Sequence, residues 1–272
     1  MQAPGLLSPR GSFAAAVFSL ILGLTGCAVV PETARQQLVL LSPREEMQLG
    51  LTEFEKIKQS KPISRDAAAN AMLQEVGRRI SAVAELPGAQ WEFVLFDDPE
   101  TPNAFCLPGG KVGVFTGMLP ITKNEAGLAT VVSHEVAHAV ARHGAERVSQ
   151  GLLFQLGGAA LDVAMRNHTQ QARQIVLSAY GLGGTVGVLL PYSRRQELEA
   201  DHIGLLYMAR AGYDPREAIE FWKRFADYNR QRGGGASIEF LSTHPVDETR
   251  IRELERLLPQ ALAEYYAHGW RK

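Results

Sequence analysis

Residues 124–142 read NEAGLATVVSHEVAHAVAR, and this stretch decides the fold. Asn124 is a good N-cap, and Glu125 puts an acid in the first turn, so a helix is predicted from here to Arg142. Its apolar positions, Leu128, Val131, Val132, Val136 and Val140, cover more than one face. A helix that is apolar most of the way round lies inside a protein and needs other layers around it. Two histidines sit in the middle of that apolar run. His134 and His138 are four apart, so both imidazoles project from one face and can reach a single ion. Glu135 is turned about 100° from His134. That places it beside the ion, where a base must sit to take a proton from polarised water. Two histidines and a glutamate buried without partners would be costly, and a metal resolves that cost.

A catalytic zinc takes three protein ligands and leaves a fourth position open. The stretch Glu197-Leu198-Glu199-Ala200-Asp201 supplies the third. Glu197 and Asp201 share a helix face. Glu197 can bind the ion while Asp201 accepts the outer N–H of a ligand histidine, fixing its tautomer. Glu199 points elsewhere and is the weaker choice. One Zn2+ per chain is expected, on His134, His138 and Glu197, with Glu135 as base. His244 precedes Pro245, which holds it extended. It can steady a developing oxyanion, occupy the open metal position, or cap a helix on the surface.

Outward from this centre, Ser42-Pro43-Arg44-Glu45 is a capping box opening a helix to about Gln59. A second amphipathic helix is predicted from Asp66 to Ala84, with Leu73, Val76 and Ile80 in its stripe. Trp91–Phe96, Asn103–Leu107 and Lys111–Phe115 read as short strands, the last two joined by Pro108-Gly109-Gly110. Beyond Met118 everything reads as helix or loop. Residues 151–190 are apolar and glycine-rich, too interrupted to span a bilayer, and are expected as helices packed over the core. Ser193–Gln196 reads as another capping box, starting a helix that Gly212 ends. Asp214-Pro215 opens the next, and a charged helix follows Pro245. Gly233–Gly235 is a loop. The expected fold is α+β and mainly helical, one domain over 42–272 with a small mixed sheet.

At the N-terminus, Arg10 precedes the apolar run Ser12–Leu24, which ends Leu24-Thr25-Gly26-Cys27. This reads as a signal peptide over 1–26. Its end resembles a bacterial lipobox, which makes Cys27 the lipidated residue and 27–41 a tether. Ala28 after the cysteine points to the outer membrane, facing the periplasm. Of 28 basic and 29 acidic residues only Arg10 lies before Cys27, so the remainder nets −2 and carries no basic excess for nucleic acid. With two cysteines there is no disulfide framework. Cys106 is then a lone thiol read as a small buried apolar residue, unless it pairs with Cys27.

HEVAHAVARH (134–143) and YSRRQELEAD (192–201), with NAFCLPGGKVGVFTGML (103–119), GYDP (212–215) and STHP (242–245), resemble the gluzincin metallopeptidases. That family includes the CAAX prenyl endoprotease, the mitochondrial overlapping-activity protease and bacterial periplasmic lipoprotein proteases. The resemblance spans about Glu45 to Leu257. It implies the same ligands and base, and Asp201 behind a ligand. It also implies a gluzincin fold in which Asn103, Ala104 and Phe105 lie on an edge strand along the cleft. Such an edge can pair with an extended peptide through its main chain. The expected activity is zinc-dependent hydrolysis of peptide bonds in unfolded or misassembled envelope proteins, outer-membrane proteins among them. Two rivals stand beside it. One is a chaperone or assembly factor whose zinc site is latent under His244 and residues 151–190. The other is a scaffold with a structural metal, which the unliganded Glu135 argues against.

Overall fold

The computed structural model describes residues 27–184, 190–232, 239–245 and 248–269. The expected signal peptide and the Gly233–Gly235 loop lie outside them. In chain order the elements are β1 (Cys27–Val29), β2 (Gln36–Leu38), α1 (Pro43–Ser60), α2 (Ala67–Ser81), β3 (Glu92–Phe96), β4 (Ala104–Leu107) and β5 (Lys111–Phe115). Then come α3 (Leu119–Thr122), α4 (Glu125–Val140), α5 (His143–Ala164), α6 (Gln170–Gly184), α7 (Leu190–Arg210), α8 (Arg216–Gln231), α9 (Glu239–Thr243) and α10 (Glu248–Ala267).

The helices begin where local chemistry dictates. Ser42 caps α1 in a reciprocal capping box with Glu45, and Pro43 sits in the first turn, where its missing N–H costs nothing. Asp66 caps α2 through Ala69 N, and Asn124 caps α4 through Gly127 N. The start of α7 departs from expectation. The helix spans Leu190–Arg210, so Ser193 lies inside it rather than at its cap. Gly212 ends the run with φ +83°, and Tyr213 N returns to Met208 O, a closure that needs a left-handed residue.

Helix α4 is the axis of the molecule. Leu128, Val131, Val132, Val136 and Ala137 have no exposed surface. Each large aliphatic side chain buried this way contributes about 1.5–3 kcal/mol, so the axis cannot be removed from the core. It packs on α7, α2 and α8, and on the other side meets the sheet. The sheet has three strands in the order β3-β5-β4. β5 pairs in parallel with β3 and antiparallel with β4, so the sheet is mixed and β4 is an edge.

Two segments differ from their sequence reading. Residues 28–41, expected as a tether, lie against the domain. β1 and β2 form an antiparallel hairpin, Val30 and Val39 are buried, and Gln37 Nε2 donates to Ala141 O at 2.8 Å. Helices α5 and α6, expected to lie over the core, form instead a hairpin that packs chiefly on itself. Phe154 stacks on Tyr180 and Arg173 pairs with Asp162. Leu156 and Ile175 stay 61% and 63% exposed, because residues 151–182 put apolar groups on several faces and only one can face the partner helix. Among the described residues no helix is long and apolar enough to cross a membrane.

Candidate active site

Helices α4 and α7 cross at His134. A Cβ on Gly204 would stand 3.0 Å from His134 N and 3.1 Å from its Cα, so the bare glycine is what lets α7 come this close. The approach brings Glu197 to the two histidines. His134 Nε2 and His138 Nε2 are 3.1 Å apart. Glu197 reaches the first with Oε2 at 3.3 Å and the second with Oε1 at 3.4 Å. His244, just after α9, sets its Nδ1 2.8 Å from Glu197 Oε2 and 3.3 Å from His134 Nε2. All four residues are buried.

These donors fit a zinc ion. Ligands about 2.0–2.1 Å from one tetrahedral zinc stand roughly 3.3 Å from each other, the spacing seen here. Glu197 Oε1 is buried and has no hydrogen-bond donor, a cost that a cation removes. Two imidazoles and a carboxylate are also the donor types of a catalytic rather than a structural zinc site.

Each of the two histidines has a polar partner behind it. His134 Nδ1 lies 3.0 Å from Asp201 Oδ1, and Arg250 grips that carboxylate through both oxygens at 2.7 Å. His138 Nδ1 lies 2.8 Å from His143 Nδ1, and His143 Nε2 lies 3.0 Å from Glu199 Oε2. Sequence reasoning set Glu199 aside as the weaker choice, yet it meets His143 behind His138. Both are buried. The signal that could have found them is the break after α4. Arg142 takes the left-handed conformation, φ +55°, and so turns His143 back toward His138. Arg250 gave no such signal, since it is one of several arginines on a charged helix. Arg142 holds Glu46 and the Leu41 carbonyl rather than a carboxylate of the centre.

The electrostatics follow from this packing. Burial raises the Glu135 carboxyl above its usual range, with His244 and His134 opposing. Burial works against ionisation of Glu197 as well, but the imidazoles around it, His138 with His134 and His244, hold it well below the ordinary value. Burial favours neutral His134, yet Asp201 and Glu197 push it up to about 9. Burial lowers His138 well below the usual imidazole value. Glu199 is desolvated, but His143, Thr33 and Arg35 draw it down to about 2.

A cleft of about 370 Å³ opens on Glu135, His138 and His244. Asn103, Ala104 and Phe105 line one side, on and just before edge strand β4, while Gly144 and Arg147 line the other. Cys106 also lines it and is half-buried rather than buried.

Residues 67–258 match the sequence profile of peptidase family M48. The chain belongs to this family. It is 42% identical over 179 residues to the mitochondrial metalloendopeptidase OMA1 of Saccharomyces cerevisiae, covering 65% of this chain and 49% of that protein. It is 31% identical over 253 residues to the OMA1 metalloendopeptidase of Homo sapiens, covering 89% and 48%. It is 28% identical over 216 residues to the β-barrel assembly-enhancing protease of Escherichia coli, covering 78% and 44%. The chain thus spans about half the length of the curated relatives it matches. The M48 domain is a zinc metallopeptidase domain of the gluzincin group, mainly helical with a small sheet, as the motifs imply.

Proposed function

We propose that this M48 chain is a zinc-dependent metalloendopeptidase acting on extended polypeptides, with His134, His138 and Glu197 as ligands and Glu135 as base. The observation that carries it is the convergence of those three donors beside a cleft lined by Glu135, His138 and His244 and, along edge strand β4, by Ala104 and Phe105. Zinc, when bound, polarises water and the carbonyl to be cleaved. The rest is work for the chain itself. Glu135, with its affinity for protons raised by burial, takes a proton from the attacking water and delivers it to the leaving amine. The β4 edge at Asn103, Ala104 and Phe105 offers a substrate strand the main-chain groups that face away from β5, Ala104 among them, since Asn103 O already accepts from Phe115 N. Pairing of that kind favours unfolded chains over folded ones.

The finer reading is a protease for unfolded or misassembled proteins of a bacterial envelope, held at the outer membrane by a lipid on Cys27 and facing the periplasm. The Leu24–Cys27 sequence after an apolar run supports the anchor. The name of the Escherichia coli relative ties that protein to β-barrel assembly, which supports outer-membrane proteins as clients. The relatives named mitochondrial point to another compartment for those proteins, and the N-terminal sequence argues for the envelope here.

A second reading has one observation in its favour. The His244 ring lies where a fourth ligand would, 2.8 Å from Glu197 and 3.3 Å from His134. In that reading the site is latent until the ring withdraws, and the protein serves also as an assembly factor.

The test is hydrolysis of unfolded casein by the chain with zinc, with a chelator and as Glu135→Gln. Cleavage should need both zinc and Glu135. Undiminished cleavage by Glu135→Gln would sink the base assignment, and absence of cleavage with one zinc bound would favour latency.

A further inference from the structure

We infer that the N-terminal hairpin is a working part of the metal centre, because Thr33 and Arg35 fix Glu199, Glu199 fixes His143, and His143 fixes the outer nitrogen of the ligand His138. This rests on the zinc assignment to His134, His138 and Glu197, and it adds four positioning residues that the assignment does not need.

The chemistry of the chain of contacts has one direction. Glu199 as a carboxylate can only accept, so the His143 Nε2 it meets at 3.0 Å must carry the proton. His143 Nδ1 is then bare and can only accept. Its partner at 2.8 Å, His138 Nδ1, must therefore donate. A histidine protonated at Nδ1 has a free electron pair at Nε2, and His138 Nε2 is the atom that stands 3.1 Å from His134 Nε2 and faces Glu197. The tautomer that binds metal is thus selected two residues away, by the charge on Glu199.

Glu199 in turn is held by the hairpin turn. Arg35 Nε donates to its Oε2 at 2.6 Å, and the Thr33 hydroxyl donates to Oε1. The other side of the Arg35 guanidinium grips Glu146 on α5 at 2.8 Å and 3.0 Å, and Gln196, one turn from Glu199 on α7, donates to Glu146 at 2.7 Å. Gln37 meanwhile caps the last turn of α4 through Ala141 O. The hairpin is therefore fastened both to the end of the helix bearing His134 and His138 and to the helix bearing Glu197. His134 has a simpler arrangement, with a carboxylate directly behind it. His138 has its carboxylate one imidazole further back, and that carboxylate answers to a segment some 160 residues earlier in the chain.

The test measures the zinc dissociation constant of the full chain by competition with a chromophoric chelator, in wild type, Glu199→Gln, His143→Leu, His143→Gln and Arg35→Met. Partners of this kind contribute about 10–100-fold to metal affinity, so His143→Leu and Glu199→Gln should weaken zinc by about that factor. His143→Gln should bind tighter than His143→Leu, because an amide can accept from His138 and donate to Glu199 while leucine merely fills the space. Arg35→Met should weaken zinc without touching any atom near the ion. The cobalt-substituted protein gives a second readout, a shifted visible spectrum in Glu199→Gln. Wild-type zinc affinity in folded His143→Leu and Glu199→Gln, or equal affinity in the leucine and glutamine variants, overturns the inference. Loss of the zinc in His134→Ala tests the underlying assignment separately.

Discussion

Arg250 and Asp201 meet side on, with Nε and Nη2 of the guanidinium each donating to a different carboxylate oxygen at 2.7 Å. Both side chains are almost wholly buried, and the guanidinium lies flat over Trp222, 4.0 Å from the ring centre. A planar fork is needed here, and lysine could supply only a point charge. Arg250→Met would leave Asp201 a buried anion with His134 as its one remaining charged partner among those described. Breaking a buried pair from one side costs about 3–5 kcal/mol. Urea unfolding of the metal-free chain should show a loss of that order, and Arg250→Lys should recover only part of it. A loss under about 0.5 kcal/mol, the level of an ordinary surface substitution, would mean that the pair does not hold the site.

The second prediction concerns the crossing of α4 and α7. Gly204 has the His134 backbone 3.0 Å from where its Cβ would be. Alanine would have to push backbone, which cannot rotate away as a side chain can. Overpacking of this kind typically costs about 1–3 kcal/mol. The displacement also moves Glu197 away from the histidines, since the two residues lie on one helix. Gly204→Ala should therefore lower the melting temperature and weaken zinc binding together. A variant that melts earlier but binds zinc as wild type does would mean that the helices shift without changing the ligand geometry.

How much of this was legible beforehand depends on the range of the interaction concerned. Ser42, Asp66 and Asn124 announced their helices because a cap is a contact between residues three apart. The HExxH pattern announced two imidazoles on one helix face for the same reason, as the helix alone aligns His134 with His138, and their Nε2 atoms stand 3.1 Å apart. The ELEAD stretch offered Glu197 but could not rank Glu199, whose function depends on Thr33 and Arg35, more than 160 residues away. The hairpin over 27–38 was invisible because three-residue strands carry no period. The α5–α6 segment was read as covering the core from its apolar content alone, and composition does not say which surface an apolar face meets.

A third prediction follows from Cys106 on the cleft wall. Burial raises its thiol well above the usual range, and the Glu135 carboxylate adds to the rise. A higher value means less thiolate at a given pH, and the thiolate is the reactive form. In a Cys27→Ser variant at about pH 8, iodoacetamide should therefore modify Cys106 at least about tenfold more slowly than a free cysteine of ordinary pKa near 8.5. Glu135→Gln removes the nearby negative charge and should speed the reaction. Modification at the rate of a free thiol would show that the strand bearing Cys106 does not stay packed against α4.

The last prediction turns on His244, whose Nδ1 is 2.8 Å from Glu197 Oε2 while its Nε2 is 3.5 Å from Glu135 Oε1. One ring thus touches both Glu197, the proposed third ligand, and Glu135, the proposed base. Phe240 lies against it, ring centres 4.5 Å apart, and the His244 N–H closes on Phe240 O at 2.7 Å, so its position is set by α9. A ring held there occupies the side from which water and a peptide carbonyl must approach. Removing it in His244→Ala takes away the fourth donor of the cluster, its third nitrogen, and leaves more room beside Glu135 in the cleft. Zinc affinity should fall by about tenfold, roughly 1.4 kcal/mol, and casein hydrolysis at saturating zinc should rise. His244→Asn, which keeps a polar group but is shorter, should fall between the two. If hydrolysis instead drops more than tenfold with zinc still bound, the ring acts during the reaction rather than before it, steadying the developing negative charge as an imidazolium would. Measuring zinc content and turnover in the same samples separates the two.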